Sequence, residues 1–352
     1  MLEPCPAPTA MRLPYDHLPE LAQLERLIKL GAGRLHVRTV TGVELKSYHL
    51  PVQLLSLGST DPAAPAVGFF GGVHGLERIG TQVLLAFIHN LLMRLQWDPL
   101  LEHQLSQVRL LFMPLVNPGG MLRRQRANPH GVDLMRNAPL DAHERPAWLL
   151  GGHRLGRWLP WYRGPAEAEM QAESAALCQV VEEELLSRPL SIALDCHSGF
   201  GLRDRIWFPL AGSRRPIDIL GEIYTLKTLF DQAYPHHRYV FEPQSHQYLT
   251  HGDLWDHLYL QSRQHPERLF LPLTLEMGSW NWVKKNPRQL FSRLGMFNPV
   301  APHRQQRTMR THLAFMEFLT RLAASEQRWL AGRQRSARHR MDAMQLWYRN
   351  GC

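Results

Sequence analysis

Apolar and polar positions along the chain follow two periods, one near 3.6 residues and one of two. Between Tyr15 and Leu30, apolar Leu18, Leu21, Leu24, Leu27 and Ile28 recur at helical spacing. Gly31 then supplies a C-cap, so the pattern predicts an opening helix. Residues 35–57 alternate at period two and predict a pair of strands around a turn at Thr41-Gly42. Ala66–Phe70 reads as a short apolar strand ending in Gly71-Gly72, and a helix is predicted from about Ile79 to Leu95. Val108–Val116 predicts another apolar strand, closed by Asn117-Pro118-Gly119-Gly120. Glu167–Leu186 reads as a helix, Leu190–Cys196 and Leu269–Leu275 as buried strands, and Thr308–Leu322 as a closing helix. Strands alternating with helices of this length predict an α/β fold with a largely parallel or mixed sheet. No internal repeat or low-complexity linker interrupts the pattern. The expectation is a single catalytic-type domain over residues 1–322, followed by a basic helix or tail over 323–352. The one long irregular stretch, Ala138–Pro165, carries Trp148, Trp158, Trp161 and several glycines. Loops of that length in compact domains are usually functional.

Composition narrows the field. Apolar residues make up 44% of the 352 and charged residues 20%, which excludes collagen, coiled coil and wholesale disorder. The best apolar run, Leu84–Leu95, is broken by His89, Asn90 and Arg94 and falls short of the roughly 18 residues a spanning helix needs. No membrane partner is therefore expected. The N-terminus carries acid and prolines where a signal peptide has a basic start and an apolar stretch, so a cytoplasmic protein is expected. The four cysteines, Cys5, Cys178, Cys196 and Cys352, form no close pair, which argues against a disulfide framework or zinc ribbon. The nineteen histidines are the better supply of metal ligands. The net charge of +9 is concentrated at the end of the chain, where residues 301–352 hold ten Arg against three acids. That excess reads as a solvated basic helix or tail. No aromatic-interleaved or zinc-finger pattern accompanies it, so nucleic acid is not an expected partner.

In open α/β sheets, sites lie beyond the carboxyl ends of strands. Ala66–Phe70 is followed by His74 and Glu77, Leu190–Cys196 by His197, and Leu269–Leu275 by Glu276. A catalytic zinc takes three N/O ligands and keeps one position open. His74 and Glu77 form a close pair with His197 as the distant third, and Glu276 remains as a carboxylate available to act as base on a metal-activated water. A second His-x-x-Glu, His17 to Glu20, follows no strand and reads as chance.

An ordered series of motifs now becomes recognisable. Gly-Gly-Val-His-Gly-Leu-Glu (71–77) is similar to a zinc-binding HxxE, and Asn-Pro-Gly-Gly (117–120) to an NPxG turn. Residues 126–137 resemble an R-x-N-x-x-G-V-D-L-N-R-N segment, and Asp-Cys-His-Ser-Gly (195–199) a third-ligand motif. Tyr-Arg-Gly-Pro (162–165) with Glu169, Tyr248 with Gly252 and Asp256, and Thr-Leu-Glu-Met-Gly (274–278) complete the series. The chain thereby resembles the M14-type zinc metallocarboxypeptidases, the carboxypeptidase A superfamily, over about Tyr15–Leu322.

The resemblance implies a three-layer α/β/α sandwich around a mixed sheet, with one Zn2+ per chain on His74, Glu77 and His197. It implies that Glu276 deprotonates the water and returns the proton to the leaving amine, and that Arg126 stabilises the oxyanion. Arg136 would grip the terminal carboxylate of a peptide substrate and Tyr248 would close over it. Asp253 and Trp255, five and seven residues after that tyrosine, would line the specificity pocket and suit a basic or mixed side chain, or Asp253 would instead cap a short helix beginning near Leu254. One departure stands out. The carboxylate-binding Asn-Arg pair reads Met135-Arg136 here, and methionine has no amide donor. The expected function is a zinc-dependent hydrolase cutting an amide bond next to a carboxylate. The alternatives are an N-acyl amino acid deacylase of the aspartoacylase and succinylglutamate desuccinylase type, or an inactive binding protein on the same fold.

Overall fold

The central strands are apolar at nearly every position because both of their faces are covered. The computed structural model describes residues 14–45, 48–330 and 333–349, and Cys5 and Cys352 lie outside these. Its strands are β1 (His36–Leu45), β2 (Tyr48–Gly58), β3 (Ala66–Gly71), β4 (Arg109–Met113), β5 (Leu190–Ser198), β6 (Arg205–Phe208), β7 (Val240–Pro243) and β8 (Leu269–Met277). They form one eight-stranded sheet in the order β1-β2-β4-β3-β5-β8-β6-β7. The four central strands, β4, β3, β5 and β8, are parallel, while β2 and β6 run antiparallel to them. The sheet is mixed, as expected.

Alternate residues of each central strand feed two cores. Val67, Phe69, Ile192, Leu194, Leu271 and Leu273 pack with the helices Arg78–Arg94, Leu220–Ala233 and Pro302–Ala324. Phe70, Met113, Ala193 and Phe270 pack on the other face with the helices Ala172–Glu184 and Leu254–Ser262. The result is the α/β/α arrangement.

Several boundaries differ from the sequence reading. Thr41-Gly42 is not a turn. It sits inside β1, just after a β-bulge at Val40 where the register with β2 slips, and the strand runs on to Leu45 with Gly42 leaving room for the His49 ring on β2. The opening helix begins at Pro19, and the helix expected from Glu167 begins at Ala172. The expected boundary between residues 322 and 323 falls inside the helix Pro302–Ala324. Beyond it, the basic helix Arg333–Met344 docks on the helix Leu220–Ala233 rather than standing free. Ala343 and Trp347 join the core, the Trp347 indole N–H donates to the Phe241 carbonyl (2.8 Å), and Arg340 donates to the Ile217 and Asp218 carbonyls. The segment thus packs on the helix Leu220–Ala233 and reaches the β7 backbone through Trp347.

Candidate active site

Three neighbouring parallel strands, β3, β5 and β8, end on the same side of the sheet and deliver the candidate residues. His197 and Glu276 are direct register partners on β5 and β8, as are Asp195 and Thr274. Their parity in the strands turns all four to the face opposite Leu194 and Leu275. His74 and Glu77 follow β3 in a loop held by the turn at 117–120. Asn117 accepts from the Gly120 N–H (2.8 Å) and donates to the Val73 carbonyl (3.1 Å). Gly75 packs so closely on Gly120 and Met121 that a Cβ would collide with their backbone. The Asn-Pro-Gly-Gly motif is therefore the brace of the His74 loop.

His74, Glu77 and His197 each offer a donor atom, and the three lie within 4.8 Å of one another. Nδ1 of His74 is 2.8 Å from one Glu77 oxygen, Nδ1 of His197 is 3.0 Å from the other, and the two Nδ1 atoms are 3.2 Å apart. The outer ring nitrogens are fixed by carboxylates. His74 Nε2 lies 3.1 Å from Asp133 and His197 Nε2 lies 2.6 Å from Asp195. Such partners set the tautomer that leaves Nδ1 free to ligate. Asp195 is held in turn by the Trp255 indole N–H, which donates to the same oxygen at 3.0 Å.

The electrostatics favour a cation at this spot. Burial opposes ionisation of Glu77, yet His74 and His197 hold its carboxyl well below the usual range. Burial likewise favours a neutral His197, yet Asp195 and Glu77 push its pKa well above the ordinary value. Three N/O donors converge, with the outer nitrogen of each imidazole held by a carboxylate and one side open to a cavity, so the residues fit a zinc ion.

That cavity, of about 550 Å³, is lined by the three ligands together with Arg126, Met135, Arg136, Tyr248, Asp253 and Glu276. Glu276 is buried, and one of its oxygens accepts from the Phe200 N–H at 3.0 Å. Burial first, then the Glu77 carboxylate, push its pKa up to about 8. Arg126 and Arg136 both reach Asp133, at 2.9 and 3.1 Å, and Arg126 also reaches Glu77 at 3.1 Å. Asp133 resists the protonation that burial would impose because both guanidiniums hold its pKa well below normal. Arg136 keeps a buried Nε without a partner among the described residues. Gly252, at φ +67°, lets the loop after Tyr248 press against the Arg136 carbonyl, where any Cβ would collide. Burial pushes the Tyr248 phenol up to about 12.

Two expectations meet a different arrangement. Trp255 is buried behind the His197–Asp195 pair and is not part of the cavity wall, so it has no face to stack on a substrate guanidinium. Asp253 does line the cavity, but one of its oxygens caps the helix Leu254–Ser262 by accepting from the Trp255 and Asp256 N–H groups. Both the pocket and the capping roles are geometrically present. Neither His130 nor Asn137 replaces the donor missing at Met135. His130 pairs with Gln171, and Asn137 is engaged with Arg163 and Gln171. His251 accepts from the Ala142 N–H and braces the wall from behind. The sequence reading assigned no role to Asp133 or Asp195, although Asp195 lies two residues before His197 and so shares its strand face. It also passed over the aromatic wall of Phe200, Trp207, Trp280 and Phe297.

Residues 36–245 match the model of the peptidase M14 family, zinc carboxypeptidase. The chain belongs to the zinc carboxypeptidase family. The match takes in His74, Glu77, Arg126, Arg136 and His197 and stops before Tyr248 and Glu276, which the fold brings to the same cavity. Carboxypeptidase SOL1 of Arabidopsis thaliana is 38% identical over 77 residues, 22% of this chain and 16% of that protein. Carboxypeptidase D of Anas platyrhynchos is 24% identical over 197 residues, 52% of this chain and 12% of that protein. The matched stretch is thus a small part of these relatives' own length. Among solved structures, thrombin activatable fibrinolysis inhibitor superposes with a TM-score of 0.62 at 17% identity, over 86% of this chain and 71% of that one. Carboxypeptidase A from Helicoverpa armigera gives 0.61 at 17% identity, over 86% and 72%. These likenesses place the zinc carboxypeptidase fold on the chain.

Proposed function

We propose that the protein is a zinc-dependent hydrolase that cleaves an amide or peptide bond next to a carboxylate. The observation that carries this reading is the convergence of His74, Glu77, His197, Glu276, Arg126 and Arg136 on one cavity at the carboxyl ends of β3, β5 and β8. A zinc ion held by His74, Glu77 and His197 would supply Lewis acidity toward the scissile carbonyl and the attacking water. Glu276 takes the proton from that water and passes it to the leaving amine. Its raised pKa makes it a stronger base than an exposed carboxylate, and positive charge at the metal position works the other way. Arg126, fixed by Asp133 and Glu77, donates to the carbonyl oxygen as negative charge builds. Arg136 turns toward the substrate carboxylate, and Tyr248 closes the mouth. With all these groups in place, a purely binding role has no support. A cytoplasmic setting is part of this proposal. Among the described residues, no helix is long and apolar enough to cross a membrane.

Met135 shapes the substrate. It lines the cavity beside Arg136 and offers no hydrogen bond to a carboxylate. Restoring an amide with Met135→Asn should add one charge-assisted hydrogen bond, worth about 1.5–3 kcal/mol. That corresponds to on the order of ten- to a hundredfold tighter binding of a free carboxylate, read mainly in KM. The test compares matched substrates with free and amidated carboxylates. A gain confined to the free acid supports the assignment, and no change with either shows that position 135 does not face the carboxylate. The same Met135 favours a second reading, hydrolysis of N-acyl amino acids. A panel of peptides and acyl-amino acids offered to the zinc-loaded protein separates the two.

Asp253 gives the pocket a preference for basic side chains. Burial raises its pKa to about 6, so it is ionised at neutral pH and loses its charge below that value. Asp253→Asn should lower kcat/KM for basic substrates roughly ten- to a hundredfold relative to apolar ones. Asparagine is an equally good N-cap, so the fold should hold. In the wild type the preference should fade as pH falls through about 6. An equal effect of Asp253→Asn on basic and apolar substrates would leave only the capping role.

A further inference from the structure

The cavity mouth lies between two segments that share an unusual composition. The first bank, residues 145–163, contributes Leu150, Pro160 and Trp161 to the cavity, and the second, residues 280–300, contributes Trp280 and Phe297. Away from the cavity, both banks project large apolar side chains into solvent. Two of the four exposed tryptophans among the described residues stand here, Trp148 at 80% exposure and Trp158 at 78%. On the second bank Leu290 and Phe291 sit together at the end of a short 3₁₀ turn, Pro287–Phe291, with Phe291 94% exposed. Among the described residues, nothing covers this pair. Neither residues 145–163 nor residues 277–316 contain an Asp or Glu. Exposed Lys284, Lys285, Arg288 and Arg293 flank the Leu290-Phe291 tip, and exposed Arg145 and Arg157 flank the tryptophans.

We propose that this mouth docks on an anionic lipid surface, with Trp148, Trp158, Leu290 and Phe291 entering the interface and the flanking Lys and Arg pairing with acidic headgroups. Indole rings sit well at the headgroup level, and Phe and Leu side chains enter the acyl boundary. The arrangement fits a bilayer better than a macromolecular partner. The rings rise singly from two separate segments on either side of an opening and form no groove for a protein. A strand of nucleic acid needs bases stacked along a continuous track, which a Leu-Phe tip does not offer. The described residues hold no helix long and apolar enough to cross a membrane, and resting on one needs none. Docking turns the catalytic cavity toward the surface. If the proposed hydrolase reading holds, its substrates are amide-bearing molecules presented there.

The test uses the whole protein and vesicles of equal parts phosphatidylcholine and phosphatidylserine. The protein should sediment with these vesicles and much less with phosphatidylcholine alone, since each cation near an anionic surface raises partitioning roughly fivefold. Its tryptophan emission should shift to the blue on binding. Leu290→Ser combined with Phe291→Ser, both outside the cavity wall, should lower partitioning at least roughly tenfold while circular dichroism stays unchanged. Soluble peptide turnover should not change in that variant. Equal sedimentation with both vesicle types, or binding abolished by salt and untouched by the serine variant, would overturn the proposal. So would retention of RNA without vesicle binding. Loss of peptide hydrolysis on every substrate, with vesicle binding intact, would instead remove the hydrolase reading and leave the docking surface standing.

Discussion

Glu276→Gln should retain zinc and fold and lose roughly 10²–10⁴-fold in turnover, the usual contribution of a positioned general acid–base group. Glu276 sits one strand over from His197 in direct register, buried at the rim of the metal site. It makes no hydrogen bond to the three candidate ligands, so a metal held there would not depend on it. The glutamine is isosteric and can still accept from the Phe200 N–H, which keeps the β5–β8 end in place. What it cannot do is take a proton from water. Removing a buried carboxylate whose pKa is already raised should also cost little stability, because the folded state gains little from its ionisation. Thermal unfolding and metal content near wild type, together with lost turnover, are the expected set. Near-normal turnover on a working substrate would take Glu276 out of the mechanism.

His197→Ala should abolish zinc binding. Two ligands would remain, and the Glu77 carboxylate would lose one of the two imidazoles that keep it charged in a buried place. Asp195 would lose its closest partner, leaving the Trp255 indole as its side-chain contact among the described residues. The variant should therefore be less stable as well as metal-free, since a buried carboxylate without a counter-charge is costly. In the wild type, metal should leave as pH falls, because protonated imidazole does not ligate. Stoichiometric zinc in purified His197→Ala, measured by elemental analysis, would overturn the ligand set.

The clustering of His74, His197 and Glu276 was legible in the sequence because the ends of buried strands are legible. A run of buried apolar residues with a glycine close behind announces where a strand of an α/β sheet stops, and the three residues lie at or just beyond three such ends. Period-two parity also places Asp195 on the His197 face. That Asp195 would meet Trp255, and that Asp133 would join Arg126, Arg136 and His74, depends on how segments distant in sequence approach each other, and no local pattern encodes it. Trp255 misleads for that reason, since its spacing from Tyr248 suggests a pocket wall while packing sends the indole behind the site. β6 and β7, at four residues each, are too short for a periodic signal. Thr41-Gly42 reads as a turn because a glycine that makes room for a cross-strand side chain, here His49, looks the same in sequence as one that makes a turn. The helix Arg333–Met344 carries few apolar residues, and its docking relies on hydrogen bonds such as those of Arg340 to carbonyls, which hydrophobic patterning does not register.

The most direct test of the account is product analysis by mass spectrometry when zinc-loaded protein acts on peptides and N-acyl amino acids. The account predicts zinc-dependent release of a single carboxylate-bearing amino acid from one of these classes, with no release by Glu276→Gln. A protein that holds one zinc per chain on His74, Glu77 and His197 and leaves every such amide intact would contradict it.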